Sequence, residues 1–433
     1  MSDSHGSPAR IVVTGQGLVT PLGRSAETLV DNWLAGRSAA GPITKFDAST
    51  MPVRIACEVP NFEPRQEIRN RKLTRLLVRG EDYGVVAAGS AFGDAGLSEG
   101  GYDPTRAGIA AGIRKEGFRN SNFYDALTAS LDADGRIDRQ VFIEDGMRRI
   151  PPQTIVEGLA NAAIYHIAHE HNLQGFNQNL LAIGSGGFQA IGEAFWALRG
   201  DEADLILAGA YNSWVVWTGI AFTHYVGIAS TSTAAPETVH RPFDLTRSGS
   251  VIGEGAAFYV LEPLDRARSR GATVLGEICG FGMATGVPSS SRRAGIAALT
   301  AAIRRALDVA GLTPADIDFV HLHGVATLEG DQIEVRAIHE AFGERAARMP
   351  ATTIKSATGF MGNASSSTEV AAILEVLRRG VIPPIVNLAT PDPEFGLNFI
   401  REPLSTLRMR YALLISRGWP SQYVALVVGH PDA

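Results

Sequence analysis

Few residues in this chain have the type and spacing to do chemistry. Ser185 sits in Ile183-Gly184-Ser185-Gly186-Gly187, between an apolar run and a helix-like stretch. A serine on such a turn is a candidate nucleophile, but a Gly-x-Ser-x-Gly elbow needs glycine at 183, where this chain has isoleucine. Ser185 therefore reads as a small turn residue at a helix start. His166, His169 and His171 form a histidine-rich stretch with i,i+3 spacing. It lacks the His-Glu-x-x-His pattern of a helical zinc site and reads as a solvated helix face, so no metal is expected. Gly253-Glu254-Gly255 is followed by no Lys-Ser/Thr and is no phosphate loop. Cys57 and Cys279 lie in strand-like runs and are read as buried, inert thiols.

The elements that must position these groups alternate between strand and helix. Ile11–Gly15 reads as a buried strand, and Ser25 as the N-cap of a helix to Ala35. Lys72–Ala95 reads as one long helix, and 107–112 as a small-residue strand. Residues from about Lys115 to Met147 are polar and charged, with a turn at 132–135, and read as a subdomain loop or cap. Leu180–Ile183 is a short strand entering the glycines, followed by a helix over Phe188–Arg199 and a strand over 204–210. The second half begins near Ser269. It holds a strand over 274–282, a helix over Ser291–Ala310 and a strand over 317–324. Glu334–Phe342 is helical, 352–355 a strand and Ser367–Arg379 a helix, before a closing strand pair over 411–416 and 423–428. Two comparable halves of alternating strands and helices imply an α/β protein with a weak internal duplication. The boundaries are set at 8–265 and 266–430, with an atypical insertion near 112–150.

Composition narrows the class. The chain has 433 residues, 45% hydrophobic and 19% charged, with net charge −6. That balance gives no reason to expect a nucleic-acid or membrane surface. Two cysteines make no disulfide framework. The polar first residues lack a secretory apolar core, and no apolar run reaches the length of a membrane span. The cytoplasm is the expected compartment, and no cofactor is expected.

Five stretches then carry a resemblance. They are Val12–Gly23, Arg241–Gly249, Gly253–Ala257, Leu261–Leu264 and Val381–Leu388. In this order they resemble the β-ketoacyl-acyl-carrier-protein synthases (ketosynthases) of the thiolase superfamily, over roughly residues 8 to 430. The resemblance implies a duplicated βαβαβαββ fold in five layers, α-β-α-β-α, dimerised across the strand that follows the nucleophile helix. It also implies a mechanism. A cysteine at a strand-to-helix turn, its thiolate favoured by the helix N-terminus, carries the acyl chain. Two histidines support decarboxylation and the oxyanion, and a lysine and an acidic residue hold the network.

Carried over residue by residue, the match is mixed. Gly184 stands at the cysteine position, and Phe360 stands at the second histidine, in Lys355-Ser356-Ala357-Thr358-Gly359-Phe360. His323 matches the first histidine, as a working proton donor or as a buried relic holding its turn. Lys355 and Glu369 match the lysine and the acid, with a structural ion pair as the simpler reading. Thr327 and Asp331 match the region that in the family contacts the phosphopantetheine arm, while Val325 and Leu328 depart from it. The family's Gly-Phe-Gly-Gly gate appears as Gly418-Trp419-Pro420-Ser421, where Pro420 has no N–H to donate. Trp214 and Trp217 either line an acyl tunnel, sit in a dimer seam or simply pack in the core.

Removing a nucleophile costs about a millionfold in a serine protease triad. Losing it together with a histidine and the gate implies a subunit that does not condense. The leading expectation is a chain-length-factor-like partner of an active ketosynthase in polyketide or specialised fatty-acid synthesis, as a heterodimer meeting an acyl carrier protein. A homodimer is the other arrangement. A reassigned decarboxylase or acyltransferase, and a simple carrier-protein or acyl-chain binding module, are the alternatives.

Overall fold

The computed structural model describes residues 8–97, 100–114, 120–157, 159–287, 292–406 and 408–433. The main-sheet strands are β1 (Ile11–Val19), β2 (Ala107–Ile113), β3 (Asn177–Leu181), β4 (Leu205–Ser213), β5 (Ile252–Pro263), β6 (Gly276–Thr285), β7 (Phe319–His321), β8 (Pro350–Thr352), β9 (Asn398–Phe399), β10 (Tyr411–Gly418) and β11 (Gln422–Gly429). The helices that frame the site are α1 (Ala26–Leu34), α2 (Arg79–Asp94), α3 (Gly186–Arg199), α4 (Trp217–Tyr225), α5 (Arg292–Ala310), α6 (Leu328–Phe342) and α7 (Asn363–Arg379).

The strand order is β9-β8-β7-β10-β11-β6-β1-β5-β4-β2-β3. It divides at the β1–β6 pairing, which runs only over Ile11–Val13. On one side, β2 pairs parallel with β3 and β4, and β5 pairs antiparallel with β4 and β1. On the other, β7 pairs parallel with β8 and β10, and β11 pairs antiparallel with β10 and β6. Both halves thus repeat one βαβαβαββ topology. Strands covered on both faces need no polar alternation. β4 is buried at every position, which is why its residues 205–211 show no polar alternation.

Three apolar cores define five layers. One joins α2 to the outer face of the first sheet through Tyr83, Phe92, Leu207 and Phe258. One joins α5 and α6 to the outer face of the second sheet through Ile303, Ile338, Leu413 and Val427. The central one holds α3 and α7 between the sheets through Phe188, Phe195, Ile373 and Leu426. The expected α-β-α-β-α layering is present.

Several elements differ from their sequence reading. The long helix over 72–95 is a short 3₁₀ turn at Leu73–Arg75 followed by α2, because the Glu81 carboxylate accepts from the Val78 N–H at 2.8 Å and starts a new helix there. Helices α3, α6 and α7 each begin earlier than expected, at Gly186, Leu328 and Asn363. Ser291 and Lys115 lie outside the described residues. Between β2 and β3 the 112–150 segment carries short helical pieces at Asn120–Thr128 and Arg139–Arg149. Its expected turn is present, with Asp132 Oδ1 accepting from the N–H of Asp134 and Arg136.

The expected dimerisation strand needs correction. The strand that follows the nucleophile-position helix is β4, which is interior and paired on both sides. An interior strand has no free edge to offer. The open edge of that half belongs to β3, which precedes that helix, and its Leu181 is 69% exposed.

Candidate functional site

Glycine at two positions, Gly186 and Gly187, lets the starts of α3 and α7 meet at backbone distance. A Cβ on Gly187 would lie 2.4 Å from Ser367 N, so only glycine fits there. The side chains opening α7 then serve the amides opening α3. Asn363 Oδ1 accepts from Gly184 N at 2.7 Å and Gly186 N at 3.1 Å, while its Nδ2 donates to Ala182 O at 2.8 Å. Ser366 Oγ accepts from Gly187 N at 3.0 Å. Helix N-termini present unpaired N–H groups that favour an anion. Here protein oxygens satisfy these amides.

Gly184 has φ +104°, a region that side-chain-bearing residues rarely adopt. A Cβ there would sit 2.7 Å from Arg417 O and 3.3 Å from Phe360 Cζ. Phe360 is buried, edge-on to Trp214 at 5.6 Å and to His323 at 5.9 Å. Its backbone is pinned to β5, donating to Val251 O at 2.8 Å and accepting from Gly253 N at 2.9 Å. The space beside the nucleophile position is therefore filled by an aromatic ring. Trp214 belongs to that packed aromatic cluster, with Phe222 of α4 at 5.9 Å. Ser185 is fully buried, and its Oγ accepts from Gln189 Nε2 at 2.8 Å.

His323 follows β7. Its N–H and that of Gly324 both donate to the Glu334 carboxylate on α6. Burial pushes Glu334 up to about 8, against the pull of those two amides. Burial, then Lys355, Arg417 and His321, hold His323 well below the usual histidine range, so the ring is neutral. Neither of its ring nitrogens has a hydrogen-bond partner among the described residues.

Lys355 and Glu369 form a buried ion pair, with His321 Nδ1 3.8 Å from the other carboxylate oxygen. Burial pushes Glu369 up to about 7, and Lys355 pulls it back. Asp331, expected beside the substrate, faces away from the cleft. It accepts from Phe243 N at 2.9 Å and lies 3.4 Å from Arg247 Nε, because the first turn of α6 carries it inward. Burial pushes it up to about 7. Thr327 is the N-cap of α6, its Oγ1 accepting from Gly330 N at 3.3 Å.

A cleft of about 490 Å³ opens over this region, lined by His323, Phe360, Thr327, Trp419, Ile183 and Arg417, among others. Trp419 occupies the tip of the β10–β11 hairpin. Its N–H donates to Ile183 O at 2.8 Å, and its ring meets Phe222 at 6.0 Å. Of the residues singled out in the sequence, the structure gathers His323, Thr327, Phe360 and Trp419 around one cleft, with Gly184 against Phe360. Lys355, Glu369 and Asp331 stand behind it. His171 stacks on Phe92 at 4.2 Å, far along another element, and Trp217 opens α4. Asn363 and Arg417 escaped sequence reasoning. The polar run Asn363-Ala364-Ser365-Ser366 before an apolar helical pattern is a usable signal for the first.

Fold and site together define the class. The β-ketoacyl synthase N-terminal domain matches residues 9–267 and the C-terminal domain matches 275–389. The chain belongs to the β-ketoacyl synthase family. It is 33% identical to the 3-oxoacyl-[acyl-carrier-protein] synthase 2 of Coxiella burnetii, covering 90% of this chain and 91% of that protein. It is 32% identical to a Streptomyces halstedii protein named as polyketide β-ketoacyl synthase 1, covering 98% of each. Among solved structures it resembles the ishigamide ketosynthase/chain length factor at TM-score 0.85 and 28% identity, covering 98% of this chain and 100% of that one. No helix among the described residues is long and apolar enough to cross a membrane.

Two outcomes test this geometry. Lys355→Met leaves Glu369 buried without its partner and lowers stability by about 3–5 kcal/mol, whereas Lys355→Met with Glu369→Leu recovers most of that loss; urea unfolding measures both. Gly184→Cys lowers stability by about 1–3 kcal/mol through its positive φ. It also forms no acyl adduct by intact-protein mass spectrometry after incubation with an acyl-carrier donor, because Phe360 occupies the thiol's surroundings.

Proposed function

We propose that this chain is a catalytically degenerate ketosynthase-like subunit, of the chain-length-factor kind. It pairs with an active β-ketoacyl-acyl-carrier-protein synthase in polyketide or specialised fatty-acid synthesis, in the cytoplasm. The observation that carries this reading is the nucleophile position itself. Gly184 offers no side chain, its helix amides are taken by Asn363, and Phe360 packs where a second histidine would act. Meanwhile the frame around it is intact, and each half keeps its full strand order. A frame maintained without its covalent handle fits selection on shape and surface. The likeness to a solved ketosynthase/chain length factor supports the same reading.

The open edge of β3 presents unpaired backbone groups, the usual template for a second chain. In a heterodimer this edge meets the partner, and the pair meets an acyl carrier protein. Co-expression with a cysteine-bearing ketosynthase from the same biosynthetic locus is the test. We expect a 1:1 complex in which intact mass shows acyl loading on the partner alone. A stable homodimer that ignores such homologues, or an acyl adduct on this chain during turnover, rejects the reading.

One observation favours a second reading. His323 lines the cleft as a neutral ring without a hydrogen-bond partner among the described residues, available to a carboxylate or enolate oxygen. A non-covalent decarboxylase acting on malonyl-carrier substrates would use it. Under that reading carbon dioxide release falls at least about a hundredfold in His323→Ala, the range of general acid–base contributions. Equal rates in wild type and variant dismiss it.

A further inference from the structure

Helix α4 has little of its own to hold it in place. Its run Trp217-Thr218-Gly219-Ile220-Ala221-Phe222-Thr223-His224-Tyr225 contains one strong helix former, Ala221. Nine residues are too few for an isolated helix to persist in water. Val216 stands at the N-cap and has no side-chain acceptor for the first amides. Only Gly219, Ile220 and Thr223 are buried, whereas α7 is buried along almost its whole length. The apolar neighbours of α4 form a small cluster with Trp214 and Phe360, apart from the three main cores. The helix is therefore kept folded by few tertiary contacts, the condition under which a segment opens locally.

The contact that does hold it is aromatic. Phe222 sits edge-on to Trp214 at 5.9 Å and to Trp419 at 6.0 Å. The Arg114 guanidinium lies over both Phe222, at 4.8 Å, and Trp214, at 4.9 Å, where each ring attracts it. None of these three partners belongs to α4. Arg114 follows β2, Trp214 follows β4 and Trp419 is at the tip of the β10–β11 hairpin. Phe222 is thus the point where separately anchored elements grip one weak helix. Just past α4, Gly227 has φ +73° and open space where a Cβ would lie, and Ala229 is then bridged to Ser250. Val226, Gly227 and Ile228 between them form one wall of the cleft.

We propose that α4 and the turn to Ile228 are a lid on the cleft, latched where Phe222 is held by Arg114, Trp214 and Trp419. Release of Phe222 removes the helix's main aromatic contact. The segment then swings between two fixed points, the buried Val215 before it and the Ala229 bridge after it. The wall made by Val226–Ile228 moves with it, and the cleft widens while the five layers stay in place. Segments that must open and close are drawn from the least stable part of a fold. Arg114 stands at the start of the 112–150 segment, so the latch is anchored in the half that carries the open edge of β3. The lid is a property of the isolated chain and holds whether or not the chain pairs with a ketosynthase.

Hydrogen exchange of the full chain, read by peptide mass spectrometry, tests it. Amides over 217–228 exchange through a local opening that low urea does not accelerate, while those of β4 and α7 exchange only with global unfolding. Arg114→Leu speeds exchange over 217–228 about three- to thirtyfold, the range of a cation–π contact, and leaves α7 at its wild-type rate. Arg114→Lys, which keeps a cation, falls between. Phe222→Ala speeds exchange at least as much, and adding Arg114→Leu to it gives little further gain, because both remove one latch. Tyr225→Ala, at a side chain 88% exposed and off the latch, stays at the wild-type rate. The proposal is overturned if 217–228 exchanges only with global unfolding, if Arg114→Leu leaves it at the wild-type rate, or if that variant speeds every peptide alike. Should Phe222→Ala fail to fold, the urea dependence of the wild-type chain and the two Arg114 variants decide.

Discussion

The contact between the first turns of α3 and α7 is the constraint on which the rest depends. Each is the third helix of its repeated topology, and each follows a parallel strand. Glycines on α3 allow backbone approach, and Asn363 and Ser366 on α7 answer the amides that such an approach would strand. The candidate site residues are arranged around that meeting point. Phe360 precedes α7, Gly184 precedes α3, and the β10–β11 hairpin reaches over both to bond Ile183.

The same contact is where the proposed loss of condensing chemistry has to be reconciled with an intact frame. A cysteine at such a turn needs room, an unpaired helix end and a proton-handling neighbour. In this chain the room holds Phe360, the helix end is hydrogen-bonded to Asn363, and the neighbour is a phenyl ring. Each replacement is well packed or well bonded in its own right. His323, Lys355 and Glu369 persist behind them in a buried network, where removing one charge is more damaging than keeping both.

Much of this was legible in the sequence. Buried parallel strands such as β4 show as apolar runs, and the helices show as periodic patterns, so the α/β class and a weak duplication could be read from the residues, while the five layers came with the family resemblance. Gly184 and Phe360 were visible because the flanking motifs fix their positions. The edge strand was not, because β3 alternates only over five residues and its exposure depends on what pairs with β2 on the other side. Asp331 carries the right residue type at the right place in the chain, but the helical turn that Thr327 caps carries it toward Arg247. Arg417 lies in a strand whose apolar pattern hides it, and only the neighbouring first turn of α6 reveals its surroundings.

The duplication has a further consequence. Although each half repeats the same topology, the halves have divided their labour: one contributes bare backbone at the centre and the other contributes the polar side chains that satisfy it. Severing the chain between β5 and β6 would give two pieces with complete sheets, but the amides opening α3 would then lack Asn363 and Ser366. Symmetry of architecture has thus become asymmetry of need, since one half's buried amides are satisfied by the other half's side chains.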